Sequence, residues 1–245
     1  MCIIVYKPIN IDYPSKAELK RLFASNPDGA GFMYADGGDV VIRRGFMSFK
    51  ALYNALPRTR GDVVIHMRIA THGGVNPRLT HPFPVTTNTR KLTRLECRAR
   101  YGVAHNGVVD ITSDTKELSD TAVFVRDYVA PLYALAGASA WSNSLLEAAA
   151  GSSRLAIMSA DGVALLGRWY EHNGVYYSNK GYEHAPRYSW SDYYAGYYSG
   201  YYDYDGYAER WREQSAQADT REYSAYTLGI SDDGRITEGS GETCC

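Results

Sequence analysis

Two periods of apolar spacing run through the first 180 residues. Ile3-Ile4-Val5 is an unbroken apolar run and predicts a buried strand directly behind Cys2. From Ser15 to Ser25 the period lengthens to that of a helix. Leu19, Leu22 and Phe23 fall on one face, Ser15 and Glu18 have capping-box spacing, and Asn26-Pro27-Asp28-Gly29 ends the element. Residues 29–46 then alternate around Asp36-Gly37-Gly38 and predict a hairpin, and Phe49 to Leu56 predicts a second helix stopped by Pro57. Asp62 to Ile69 predicts a strand with Val63, Ile65 and Met67 on one side and Val64, His66 and Arg68 on the other. An arginine on a core face needs an anionic or polar partner there.

Farther on the pattern carries more polar interruptions. His81-Pro82-Phe83-Pro84 is stiff and extended. Residues 86–100 hold Arg90, Lys91, Arg94, Arg98 and Arg100, read as a solvated loop in preference to a phosphate-binding patch. The apolar stretch 101–111 is broken by His105-Asn106-Gly107. That turn is either a plain hairpin turn or a place where a backbone N–H and an amide side chain are exposed together, the parts of an oxyanion hole. Ser119-Asp120 opens a predicted helix, Thr121 to Leu135, with Asp120 as its N-cap, a ligand-binding carboxylate, or both. Leu145 to Ala149 predicts another helix. Residues 154–180 predict three short strands joined by Asp161-Gly162 and Asn173-Gly174 turns. Beyond about Ala185 the chain is rich in Tyr, Gly, Ser and Asp and poor in branched aliphatics. That composition predicts a low-complexity, mostly disordered tail over 186–245, after a folded domain over 2–185.

Composition narrows the function classes. A net charge of −1 argues against bulk-charge attraction to nucleic acid or a membrane surface. No apolar run reaches the ~18–20 residues of a membrane span, and no leader pattern opens the chain. The four cysteines, Cys2, Cys97, Cys244 and Cys245, have neither metal-type nor disulfide-framework spacing. The expectation is a cytoplasmic setting without metal or cofactor, and the C-terminal Cys pair alone does not make a lipidation site.

The candidate chemistry starts at Cys2. If Met1 is removed, one residue carries a thiol and a free α-amine with a pKa of about 7.7–8.0. Such an amine can take the thiol proton and return it to a leaving group. A cysteine after the initiator is by itself a weak signal. It gains weight because His66-Met67-Arg68-Ile69-Ala70-Thr71-His72-Gly73 resembles the HxRxATHG block of the class II glutamine amidotransferases, which are N-terminal nucleophile (Ntn) hydrolases. His105-Asn106-Gly107 resembles their HNG block, the run from Ser119-Asp120-Thr121 their SDTE-helix block, and Asn26 to Gly31 their glycine-containing loop. Ile3 stands where the family commonly has Gly, and Ile69 where many members have Trp.

The resemblance implies an α+β fold, a four-layer αββα sandwich of two antiparallel sheets. It implies Cys2 as nucleophile with its α-amine as base, and Asn106 and Gly107 as the oxyanion hole. Arg68 would bind the α-carboxylate of L-glutamine, and Asp120, with the Gly107 carbonyl, its ammonium; Asp114 is the rival for that ammonium. Thr71 and His72 would line the same pocket. It implies glutamine hydrolysis through a γ-glutamyl thioester, delivering ammonia to a separate acceptor synthetase. Two other readings stand beside it: an Ntn amidohydrolase for another γ-glutamyl or amide substrate, and an inactive interaction subunit.

Overall fold

The computed structural model describes residues 2–70, 74–109, 111 and 118–183, and the backbone of 229–230 and 236–237. By contact density the chain divides into two units, Met1–Arg187 and Tyr188–Cys245. In the second, β12 (Gly229–Ile230) pairs antiparallel with β13 (Ile236–Thr237). The rest of the Tyr-rich segment lies outside the described residues.

The first unit is α+β with two antiparallel sheets. The larger has the order β10-β11-β1-β4-β2-β3-β6. Its strands are β1 (Ile3–Lys7), β2 (Ala30–Asp36), β3 (Asp39–Phe46), β4 (Val63–Met67), β6 (Glu96–Ala99), β10 (Tyr170–His172) and β11 (Val175–Tyr177). The smaller has the order β5-β7-β8-β9, from β5 (Phe83–Pro84), β7 (Gly102–Asn106), β8 (Arg154–Ser159) and β9 (Gly162–Leu166).

The alternation along β4 is realised. Val63, Ile65 and Met67 pack with Leu19, Leu22 and Phe23 of α1 (Lys16–Ala24) and Leu52 of α2 (Phe49–Ala55). Val64, on the opposite face, packs with Ile4, Met33, Val40 and Ile42, and with Ala104, Ala156 and Met158 of the smaller sheet. A third cluster joins Val103, Leu155 and Ile157 to Ala122, Phe124, Val129 and Leu146 on the helices after residue 118. Burying each large aliphatic side chain contributes about 1.5–3 kcal/mol, so these faces carry most of the fold's stability.

Several sequence expectations change in detail. Ser15 caps α1 by accepting from the Glu18 N–H at 3.1 Å, but the Glu18 carboxylate accepts from Tyr177 Oη at 2.6 Å, so its side chain makes a long-range tie to β11. Residues 86–100, read as a solvated loop, contain α3 (Thr89–Leu92), capped by Asn88, and the edge strand β6 on β3. Leu92 and the buried Arg44 fix that segment from inside. His105-Asn106-Gly107 is no hairpin turn: β7 ends at Asn106, and its partners β5 and β8 are distant in sequence. The N-cap of the next helix is Ser119, which accepts from the Ala122 N–H at 3.1 Å, and Asp120 is the first residue of α4 (Asp120–Phe124).

That helix continues through a π-type turn, Val125–Val129, into α5 (Ala130–Ala136). Pro131 has no N–H for the regular ladder, which accounts for the widened turn just before it. α6 (Ala140–Ala150) starts earlier than its apolar residues indicated, because Ser139 and Ser142 form a reciprocal capping box in a polar stretch. The predicted three-strand meander is four strands shared between the sheets, β8–β9 in one and β10–β11 in the other. The Asn173-Gly174 turn joins the second pair, with φ of 52° and 77° at its two residues, as a type I′ turn requires.

Candidate active site

β1 and β4 pair with Ile3 opposite Met67, which sets Cys2 beside the residues that follow β4. The Cys2 thiol lies between the two polar groups of the Ile69 backbone: Sγ donates to the carbonyl oxygen at 3.5 Å, and the N–H donates to Sγ at 3.4 Å. Burial pushes the Cys2 thiol up. The Ile69 contact and the Arg68 charge pull it back, and both favour the thiolate once the proton leaves. The other described free cysteine, Cys97, sits on edge strand β6 opposite Ile42.

Arg68 is 6% exposed, and its Nη1 donates to the Gly74 carbonyl at 2.8 Å. Burial draws its pKa down, while Cys2, Asp28 and Asp120 raise it, so thiol, guanidinium and both carboxylates share one electrostatic neighbourhood. Asp28 is a site residue that sequence reasoning placed only in a turn. Its Oδ2 accepts from the Ala70 N–H at 2.7 Å, and its N–H donates to the Arg68 carbonyl at 3.0 Å. The Arg68 N–H in turn donates to the Gly29 carbonyl at 2.8 Å. The 28–29 turn therefore clamps the chain on both sides of Arg68. Burial raises the Asp28 carboxyl, against the Ala70 bond and the Arg68 charge.

Asn106 ends β7 and is 2% exposed. Its Nδ2 donates to Ser178 Oγ at 2.8 Å, and the same oxygen accepts the Ile4 N–H at 2.8 Å. Asn179 Nδ2 donates to the Cys2 carbonyl at 2.7 Å. Ser178 and Asn179 follow β11, and the sequence pattern there marked only the end of a strand. Gly107 has a φ of +154°, and a Cβ there would run into Ser153, so the position excludes a side chain.

The Asp120 Oδ1 accepts from the Thr121 N–H at 2.7 Å at the start of α4. Behind it lie His66, His81 and His105, all buried. His66 Nε2 and His81 Nδ1 each lie 3.0 Å from the His105 carbonyl oxygen. A carbonyl only accepts, so His66 Nε2 carries hydrogen, while His81 Nδ1 faces both that carbonyl and, at 3.4 Å, the His105 N–H. His105 Nδ1 meets Thr121 Oγ1 at 2.8 Å. Among the described residues His66 Nδ1 and His105 Nε2 have no hydrogen-bond partner, which suits bare lone pairs on neutral rings. Burial holds His66 down to about 3 and His105 to about 4, and draws His81 well below its ordinary value. The three rings fasten β4, the segment before β5, the end of β7 and the start of α4 to one another. His66 and His105 lie in the quoted sequence blocks and His81 in the stiff stretch 81–84, but their mutual contact was not visible in the sequence.

The described positions of Cys2, Arg68, Asn106 and Asp120 thus gather at one end of the two sheets. Thr71, His72 and Asp114 lie outside the described residues. A separate cleft of about 580 Å³, lined by Asn10, Asp12, Glu18, His172 and Tyr177 among others, contains none of the predicted site residues. Among the described residues no group of His, Cys, Asp and Glu could hold a metal ion, and no helix is long and apolar enough to cross a membrane.

No known protein family profile and no curated protein matches the chain. Among solved structures it is similar to glutamine phosphoribosylpyrophosphate amidotransferase from B. subtilis, complexed with ADP and GMP. The TM-score is 0.40 at 15% identity, over 72% of this chain and 41% of that one. The chain therefore spans less than half the length of that structure, and the chemistry has to be argued from its own residues.

Proposed function

We propose that this chain is a glutamine amidotransferase-type hydrolase on a four-layer αββα sandwich, with the catalytic unit in residues 2–185 and the segment 186–245 outside it. The observation that carries the reading is the convergence at Cys2. Its thiol receives an N–H from Ile69, Arg68 precedes that residue, and the Asn106 carboxamide is tied to β1 through Ser178.

With Met1 removed, the Cys2 α-amine accepts the thiol proton and Sγ attacks the side-chain amide carbon of L-glutamine. The developing oxyanion takes hydrogen bonds from Asn106 Nδ2 and the Gly107 N–H. Collapse breaks the C–N bond, the ammonium returns its proton to the leaving nitrogen, and ammonia departs. A γ-glutamyl thioester remains, and water hydrolyses it to glutamate with regeneration of the thiol. Arg68 pairs with the substrate α-carboxylate through its planar fork, and Asp120 with the ammonium. Thr71 and His72 complete the pocket, and a separate synthetase accepts the ammonia.

The test is release of glutamate and ammonia from L-glutamine by the full chain, alone and with candidate synthetases. Wild type is expected to turn over, and Cys2→Ala is expected to lose at least ~10³-fold with an unchanged melting temperature. Equal turnover by wild type and Cys2→Ala would overturn the reading.

A further inference from the structure

We propose that Ser178 is a positioning residue that aims the Asn106 carboxamide at the reacting carbonyl, acting through Asn106 and without touching substrate; the proposal rests on the roles given to Cys2 and Asn106 above. Ser178 is fully buried, and its Oγ receives two hydrogen bonds of 2.8 Å, one from the Ile4 N–H and one from Asn106 Nδ2. Its own N–H donates to the Ile4 carbonyl at 3.0 Å, so both sides of the residue are anchored to the strand that carries the nucleophile.

Asn106 belongs to the smaller sheet and Ile4 to the larger. One hydroxyl oxygen therefore sets the position of an oxyanion donor on one sheet relative to the nucleophile's strand on the other. A carboxamide NH₂ has two hydrogens. With one held by Ser178, the carboxamide cannot rotate freely, and the second hydrogen keeps a fixed direction. That arrangement costs no reorganisation when negative charge develops, which is where preorganised donors gain their effect. Asn179 extends the device, because its Nδ2 fixes the Cys2 carbonyl at 2.7 Å while its Oδ1 accepts from the Gly181 N–H at 2.9 Å.

The experiment compares full-length wild type, Ser178→Ala, Asn106→Ala and the double variant in three reactions. Glutamine hydrolysis and Cys2-dependent acylation by p-nitrophenyl acetate both pass through an oxyanion, whereas alkylation of Cys2 by iodoacetamide does not. Ser178→Ala is expected to lower kcat for glutamine about 10- to 100-fold with KM changed less than about twofold, in line with loss of part of an oxyanion-hole interaction. Acylation should fall by a similar factor and alkylation by less than about twofold. Adding Ser178→Ala to Asn106→Ala should have no further effect. Equal losses in acylation and alkylation, or additive losses in the double variant, would overturn the proposal. Ser178-dependent acylation without any glutamine turnover would instead reject glutamine as substrate and leave the positioning role standing. A measurement on wild type needs no variant: nitrogen-15 spectra should show one Asn106 side-chain amide proton protected from exchange, and two rapidly exchanging protons would overturn the proposal.

Discussion

Among the described residues two arginines are buried, and they lie in regions of different character. Arg44, on β3, is 3% exposed. Its Nε donates to the Arg94 carbonyl at 2.9 Å, Nη1 to those of Arg78 (3.1 Å) and Thr80 (2.7 Å), and Nη2 to that of Leu92. Its guanidinium also lies 4.3 Å from the Phe83 ring centroid. Burial draws it down to about 10. Every nitrogen is committed to backbone carbonyls of residues 78–94, so Arg44 pins that segment alongside its buried Leu79, Phe83 and Leu92. Arg68 is about as well buried and also donates to a carbonyl, that of Gly74, but a thiol and two carboxylates lie in its electrostatic neighbourhood. A guanidinium saturated by carbonyls serves the fold, while one placed among ionisable groups beside a thiol can serve a zwitterionic ligand. Burial alone does not separate the two roles; the ionisable groups close to Arg68 do.

The largest expected effect is on the structural side. Arg44→Met should destabilise the fold by about 3 kcal/mol or more, because it leaves several buried carbonyls without donors. KM for glutamine in the folded fraction should stay unchanged. Chemical denaturation and steady-state kinetics on the same preparation check both halves, and a rise in KM without loss of stability would reverse the assignment.

Next comes Arg68→Lys, which keeps the charge and loses the planar fork. KM for glutamine should rise about 10- to 100-fold, with a smaller change in kcat. An unchanged KM would remove Arg68 from the carboxylate site.

The smallest expected effect concerns the histidines that join the site's elements. Each is neutral in the fold with a lowered pKa, while in the unfolded chain it titrates near 6.5. Below that value the unfolded state binds more protons than the native state, so stability should be flat above pH 7 and fall as pH drops from about 6.5 toward 4. Between pH 7 and 6 the three together account for a loss of up to about 2 kcal/mol. Denaturation midpoints measured at constant ionic strength check the slope, and His81→Phe should make it shallower. Stability that rises on acidification through this window would contradict neutral rings.

Much of this architecture was legible in the sequence wherever one face of an element is buried. The alternation of β4, the Leu19-Leu22-Phe23 stripe of α1 and the Asn173-Gly174 turn each encode their structure locally. Ser178 was not legible, because its role lies in two hydrogen bonds to residues far away in sequence, and a serine after a strand is otherwise unremarkable. Arg44 was hidden for a similar reason: its partners are backbone carbonyls, which leave no residue signature. The strand pattern marked Arg68, because an arginine on a core face needs a partner, but the pattern did not reveal Asp28 as the residue clamping the chain beside it. The sequence of His105-Asn106-Gly107 read as a turn, either a plain hairpin turn or one exposing a backbone N–H and an amide together, and the structure places it at the end of a strand instead. The pairing of β7 with β5 and β8, which no local pattern encodes, rules out the hairpin turn.

In the proposed mechanism Cys2, as the N-terminal residue, attacks the side-chain carbonyl of glutamine. Its most direct test is intact-mass analysis and peptide mapping of active protein treated with a glutamine-like electrophile such as a diazoketone analogue. The expected result is a chain lacking Met1 that carries a single adduct at Cys2, with Cys97 unmodified and turnover abolished in proportion to labelling. Full activity in protein that retains Met1, or inactivation by labelling at Cys97, would contradict the account.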